Sequence, residues 1–127
     1  MIEVYCDGSC TPNPGEMRVA YTWYSTVTEC EFNGWVAEAG YGTSNEAEFL
    51  AVLKGILSLP SNQDGTQPAV VCTDSELLSK AIAGTYVLRN PKLRLLYQCI
   101  ENLRASKWVG VRLIPREENL AHKLLEN

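Results

Sequence analysis

Residues 69–78 read AVVCTDSELL. Ala69 to Thr73 is an unbroken apolar run of the kind a strand shows when both its faces are covered, and Asp74 follows it without a spacer. The period then changes: Leu77, Leu78, Ala81 and Ile82 fall at helical spacing, and Gly84 closes the run as a C′ residue. A buried strand that ends on an acid and passes straight into a helix belongs to a crossover unit, which must be right-handed and which demands strands parallel to this one. That requirement organises the rest of the chain.

Toward the N-terminus, Ile2 to Cys6 reads as a short strand that stops at an Asp7-Gly8 turn. The next segment, GSCTPNPGE at 8–16, is dense in turn formers. Met17, Val19, Tyr21 and Trp23 then alternate with Arg18, Ala20, Thr22 and Tyr24, a half-buried second strand. Cys30, Phe32 and Val36 alternate with acids and polar residues, giving a third strand after a tight connection near Ser25 to Thr28. Short links between three strands predict an antiparallel meander. From Asn45 to Leu59, Phe49, Val52, Leu53 and Ile56 mark a helix, with Thr43 or Ser44 as its N-cap and Pro60 as its stop.

Beyond Asn90-Pro91, Leu93, Leu96, Ile100 and Leu103 describe an amphipathic helix, and Val109, Val111 and Leu113 a last strand. Leu120, Ala121, Leu124 and Leu125 lie on one face of a short final helix. The order β-β-β-α-β-α-α-β-α predicts an α/β fold with a mixed five-stranded sheet, three antiparallel N-terminal strands followed by parallel ones, flanked by helices on both faces. Residues 1–127 read as one domain, long enough to bury a core without disulfides or a structural metal.

The chain is 46% hydrophobic and 20% charged, the composition of a soluble globular protein. Its formal net charge of −4 argues against sequence-blind binding to a polyanion, so any nucleic-acid contact rests on local features. Arg89, Lys92, Arg94, Arg104, Lys107, Arg112 and Arg116 cluster in the second half, and they read equally as solvated faces or as a phosphate-facing patch. Five cysteines with no C-x-x-C pair and a single histidine give no zinc site; they read as buried or partly buried free thiols of a cytosolic-type protein. No segment has the length and apolarity of a membrane span or of a leader, so the expected location is cytoplasmic, with no membrane partner.

Asp7 and Asp74 are expected just past the carboxyl ends of neighbouring strands, where open α/β sheets bind ligands, and Glu48 borders the apolar stripe of the main helix. Singly, each has an ordinary reading: Asp7 as a turn residue, Asp74 as the N-cap of the following helix, Glu48 as a first-turn acid. Together they form a partly buried set of hard oxygen donors. Such a set calls for a positive partner, and magnesium or manganese suits it better than zinc. Two such ions can activate a water and stabilise the leaving oxygen of a phosphodiester. Spacing alone leaves both readings open.

Four motifs in order break the tie. VYCDGSCTPNPGEMRVAYTWY, GTSNEAEFLAVLKGI, VVCTDSELLSKAIAG and VGVRLIPREENLAHKLLE resemble the successive signature segments of the type 1 ribonuclease H family, over nearly the whole chain. The resemblance implies a ribonuclease H-like fold and an endonuclease that hydrolyses the RNA strand of RNA–DNA hybrids with two Mg²⁺ ions, Mn²⁺ being a possible substitute. It implies that Asp7 bridges both ions, that Glu48 and Asp74 are further ligands, and that the enzyme acts as a monomer. It also implies substrate contacts from Gly8, Ser9 and Cys10, where small residues let the hybrid approach, and from Asn13, Ser44 and Asn45 in the minor groove, where the 2′-OH marks RNA. Thr43 is implied to line a pocket for a DNA-strand phosphate, against its plain reading as a helix cap.

The chain departs from the family at two places. The segment 88–96 is short and carries only Arg89, Lys92 and Arg94 where some members have a basic loop, so its grip on a hybrid should be weak and salt-sensitive. The family's final helix has A-D-x-L after P-R-E-x-N, whereas this sequence has A-H-K-L, with Ala121 and His122 a residue early. His122 therefore stands as the expected fourth member of the catalytic set, as a metal ligand or proton carrier, against an ordinary helix-end role. The competing reading is a catalytically weakened module that binds the hybrid or serves as an interaction domain; a DNA-acting nuclease or strand-transferase on the same scaffold is a third. Trp23, Trp35 and Trp108 are read as packing residues before stacking platforms.

Overall fold

The computed structural model describes residues 1–62 and 65–126. Its elements follow the predicted order: β1 (Ile2–Cys10), β2 (Gly15–Ser25), β3 (Cys30–Gly42), α1 (Ser44–Ser58), β4 (Ala69–Thr73), α2 (Glu76–Ala83), α3 (Pro91–Lys107), β5 (Val109–Leu113) and α4 (His122–Leu125), with a 3-10 turn at Arg116–Glu118 before α4. The strands form one mixed sheet in the order β3-β2-β1-β4-β5, the first three antiparallel and β1, β4 and β5 parallel.

Alternation decides which helix covers which face. Val4 and Cys6 of β1 and Tyr21 of β2 point to the face covered by α1, where the bare α-carbon of Gly55 lets Cys6 and Val4 close in. Phe49, Val52 and Ile56 of α1, Leu78 of α2, Ile100 of α3, and Val71 and Val109 of the parallel strands complete this core. Each such side chain, fully buried, contributes roughly 1.5–3 kcal/mol. On the opposite face α4 packs over β1, β2 and β3, its Leu124 against Gly34 beside Thr22. A polar group lies on the same face: Arg112 donates to Glu3 at 2.8 Å and the Tyr5 hydroxyl donates to the same carboxylate at 3.2 Å.

Three expectations change. The turn predicted at Asp7-Gly8 does not form: β1 runs on to Cys10 because β2 is long enough to pair with it there, so Asp7 lies opposite Ala20 inside the ladder and the turn moves to the Pro-rich segment at 11–14. The alternation of β3 does not translate into burial, since Cys30 and Phe32 are exposed. β3 is an edge strand, so its apolar residues are only partly covered: Phe32 meets Trp23 edge-on yet stays 40% exposed, and Cys30 and Cys99 are exposed thiols while Cys6, Cys10 and Cys72 are buried as expected. The final helix is a single turn starting at His122, with the preceding residues held in a 3-10 turn instead. Among the described residues, no helix is long and apolar enough to cross a membrane.

β1 and α1 meet backbone to backbone. A β-carbon on Gly8 would collide with the carbonyl of Ala47 and come within 2.7 Å of the Glu48 nitrogen. Backbone cannot yield as a side-chain tip can, so Gly8→Ala is expected to lower the unfolding free energy by about 1–3 kcal/mol or more. Denaturant titration at constant m-value measures the loss; an unchanged midpoint would show that α1 can move away freely.

Candidate active site

The three acids come from three elements that converge at the carboxyl end of the parallel strands. The β1–β4 ladder ends with Tyr5 opposite Cys72, and Asp7 and Asp74 each lie two residues past that last pair. Glu48 enters from α1 through the close approach at Gly8.

Each acid's ordinary structural duty is performed by another residue. The N-cap of α2 is Ser75, whose hydroxyl accepts from Leu78 N at 3.2 Å, so Asp74 does not cap it. The first-turn acid of α1 is Glu46, which leaves Glu48 in the second turn. Asp7 is a strand residue, 6% exposed, with Oδ1 accepting from Gly8 N at 3.0 Å. Thr43 does act as the N-cap of α1, accepting from Glu46 N at 3.2 Å.

Electrostatically the cluster is strained. Burial raises the pKa of Glu48 to about 7, and the charge of Asp74 and, more weakly, Asp7 pushes the same way against a hydrogen bond with Ser75. Asp74 is also raised, by burial and then by the charge of Asp7. Burial raises Asp7 as well, while the hydrogen bond and charge of His122 oppose it. All three feel the positive charge of Arg116, which tempers each shift. Arg116 lines an open cleft of about 500 Å³ with Glu48, Asp74, Glu76, Leu113, Ile114 and Pro115. The sequence reading placed Arg116 in a general basic cluster and missed this position; the usable signal was that it follows the last strand at the sheet end that carries the acids.

The remaining basic cluster disperses. Arg104 pairs with Glu101, Lys107 donates to the carbonyls of Ile56 and Leu59 at the end of α1, and Arg112 pairs with Glu3. Arg89, Lys92 and Arg94 stay exposed around the start of α3.

His122 reaches the cluster from the other face of the sheet. Its Nδ1 stands 2.9 Å from Asp7 Oδ2, and against an ionised carboxylate the imidazole N–H is the donor. Nε2 lies 3.5 Å from Glu126 Oε1, and the ring is 31% exposed. The histidine is thus in direct contact with the most buried of the acids.

The substrate candidates divide. Asn13 Oδ1 accepts from Ser44 N at 3.2 Å, which ties the loop after β1 to the start of α1 and gathers Asn13, Ser44 and Asn45 along one polar edge. Cys10 turns inward, its thiol donating to the carbonyls of Pro12 or Gly42, both at 3.3 Å, so its side chain serves the fold. The small size of Gly8 is required by α1, and Ser9 stays partly exposed in the ladder opposite Arg18. Trp23 is half-buried and donates to Ser58 Oγ at 3.0 Å, while Trp35 stacks on Tyr21 with ring centres 5.2 Å apart. Trp108, expected as packing, is exposed at the left-handed C-cap of α3.

Oxygen donors whose burial and mutual repulsion favour their neutral forms match the chemistry of a divalent cation, which would relieve both penalties. Among the described residues, no three His, Cys, Asp or Glu side chains are gathered closely enough to hold an ion as they stand. The repulsion has a measurable consequence. The folded chain holds the Glu48 proton up to about pH 7 where the ordinary value is 4.5, so by linkage its stability is fullest below the ordinary value and falls as pH rises through about 7. Asp7 and Asp74 shift in the same direction. In the absence of metal, the melting temperature is expected to be higher near pH 5 than near pH 8, and Glu48→Gln is expected to flatten that slope and stabilise the protein at the higher pH. Melting curves across that range check both; a slope untouched by the substitution would remove Glu48 from the cluster.

Comparison with known proteins gives one family and one fold. The RNase H family model matches residues 1–108, ending just before β5 and the segment that carries His122. No curated protein matches the sequence. Among solved structures the chain is similar to LC11-RNase H1 in complex with an RNA/DNA hybrid, from a protein isolated from compost by a metagenomic approach (24% identity, TM-score 0.84, covering 98% of this chain and 93% of that one). It is similar as well to RNase H1 of the halophilic archaeon Halobacterium salinarum (23%, 0.83, 98% and 97%). A third is the N-terminal RNase H domain of a Mycobacterium tuberculosis protein (22%, 0.82, 97% and 94%). At these identities the likeness is one of fold, and it agrees with the mixed sheet described above. With the family match covering most of its length, the chain belongs to the RNase H family.

Proposed function

We propose that this chain is a metal-dependent endoribonuclease that hydrolyses the RNA strand of RNA–DNA hybrids. The observation that carries the reading is the convergence of Asp7, Glu48 and Asp74 from three elements beside an open cleft, each acid relieved of its ordinary structural duty and each raised in pKa. Membership of the RNase H family supports it, as does a structural neighbour solved with an RNA/DNA hybrid.

In this reading Asp7, Glu48 and Asp74 would hold Mg²⁺, or Mn²⁺ in its place. Bound there, the ions supply the charge that lowers the pKa of an attacking water and stabilises the leaving oxygen. His122 is the fourth member of the set: it holds one oxygen of Asp7 and offers a ring nitrogen for proton movement. Arg116 brings positive charge to the cleft wall, where a phosphate would lie. Asn13, Ser44 and Asn45 form the polar edge suited to sugar hydroxyls, with Ser9 beside them, Gly8 setting the closeness of α1 and Cys10 and Thr43 bracing the loop and the helix start. The weak local basicity fits salt-sensitive hybrid binding, and we take the enzyme to act as a monomer. Thiols without a disulfide partner among the described residues fit a reducing compartment, and we place the enzyme in the cytoplasm.

One observation favours a second reading, a hybrid-binding module with weakened catalysis: His122 occupies the Asp7 oxygen that an acid at this position would leave for an ion. Cleavage of a labelled RNA–DNA hybrid with Mg²⁺ or Mn²⁺, beside single-stranded RNA, duplex RNA and duplex DNA, separates the two. The enzyme is expected to cut only the hybrid and only with metal, and Asp7→Asn to reduce cleavage by on the order of 100-fold or more. His122→Ala is expected to reduce it by about 10–100-fold. Tight hybrid binding without metal-dependent cleavage would establish the module and remove the enzyme.

A further inference from the structure

His122 sits on a helix of a single turn, too short to hold a side chain in place by itself. What holds it is Asn119. This side chain is 5% exposed and both ends of its amide are engaged: Nδ2 donates to the carbonyl of Cys6 at 2.9 Å, and Oδ1 accepts from Ala121 N at 3.1 Å. Its backbone adds two more bonds, its carbonyl accepting from His122 N at 3.1 Å and its N–H donating to Arg116 O at 3.0 Å. Cys6 is the residue before Asp7 and lies one step past the last β1–β4 pair. One residue therefore ties the strand at Asp7 to the two backbone nitrogens that lead into His122.

Two outer contacts hold the far side of the same segment. Arg18 of β2 donates to the carbonyl of Leu125 at 2.9 Å, and Lys123 pairs with Glu31 of β3 at 2.6 Å. Arg18 holds the end of α4 over the sheet, and Lys123, next to His122, holds its outer side against β3. Ala121 is fully buried between them and Asn119, which leaves the segment little room to shift.

We propose that Asn119 is the positioning residue for His122: by bridging the Cys6 carbonyl and the Ala121 nitrogen it sets the imidazole against Asp7, and the contribution of His122 depends on that bridge. The inference rests on the functional reading above for its kinetic consequence, though not for its structural one. A misplacement of about an ångström at a reacting group costs on the order of 100-fold, and a polar hub at this distance is enough to produce it.

Asn119→Asp tests this with little change of shape, since it keeps the oxygen that accepts from Ala121 and replaces the donor to Cys6 with an oxygen that repels the carbonyl. His122 is the chain's only histidine, so its ring signals in an NMR spectrum are unambiguous. In folded Asn119→Asp they are expected to move toward their positions in the urea-unfolded chain. Hybrid cleavage is expected to lose at least about tenfold in kcat with KM changed less than about twofold, and the double variant with His122→Ala to be no slower than His122→Ala alone. Losses that multiply, or ring signals that stay at their native positions, would overturn the proposal, because Asn119 would then act on stability only. Where Asn119→Asp does not fold, Asn119→Ser, which adds no charge, carries the same expectations. Should the wild type not cleave hybrids, the functional reading fails and the ring signals alone decide the positioning role.

Discussion

The backbone contact between β1 and α1 at Gly8 is the constraint on which the rest of the site depends. Strand and helix cannot come this close with a side chain between them, and the closeness carries Glu48 to the strand that bears Asp7. The same approach turns Val4 and Cys6 into the side chains that meet α1 at Gly55, so the packing of the main core and the assembly of the acids follow from one geometry.

Closeness has an electrostatic cost, because three carboxylates share a partly buried region with one histidine and one arginine for compensation. Asp7 has His122 in contact, while Glu48 has a hydroxyl at Ser75 and the more distant charge of Arg116. Glu48, which feels the charge of both other acids, is pushed up to about 7, as expected when repulsion adds to burial. Stability elsewhere tolerates this: buried side-chain polar atoms among the described residues all have partners, and the caps of α1, α2 and α3 are each made by a side chain. The unfavourable interactions are concentrated where a ligand can relieve them.

The element order was legible because hydrophobic period and turn or cap signals agreed in most segments: Thr43 and Asn90 each open a helix whose apolar face follows at the right spacing, while the cap of α2, read at Asp74 among its ordinary roles, is made by Ser75. Asp74 was readable for the same reason, standing directly after a strand whose ends were marked. Asp7 was identified but misplaced, since its own segment looks like a strand end and only the length of β2 makes the strand continue. The exposure of β3 was not readable, because alternation reports which residues share a face and not whether anything covers it. Arg116 and Asn119 were invisible as site residues for a related reason. Each owes its place to residues about forty or more positions away, and local pattern carries no trace of the loop that brings them together.

The helix that carries Glu48 is held at both ends by different parts of the chain. At its start, Asn13 engages the Ser44 nitrogen and Gly8 abuts the second turn; at its finish, Lys107 from the end of α3 binds the carbonyls of Ile56 and Leu59. Axial sliding, the usual way a helix adjusts a ligand position with small shifts, would break contacts with two other elements at once. Any adaptation of this acid to a bound ion therefore falls to its own side-chain torsions, and the helix acts as a fixed beam along which a single lever turns.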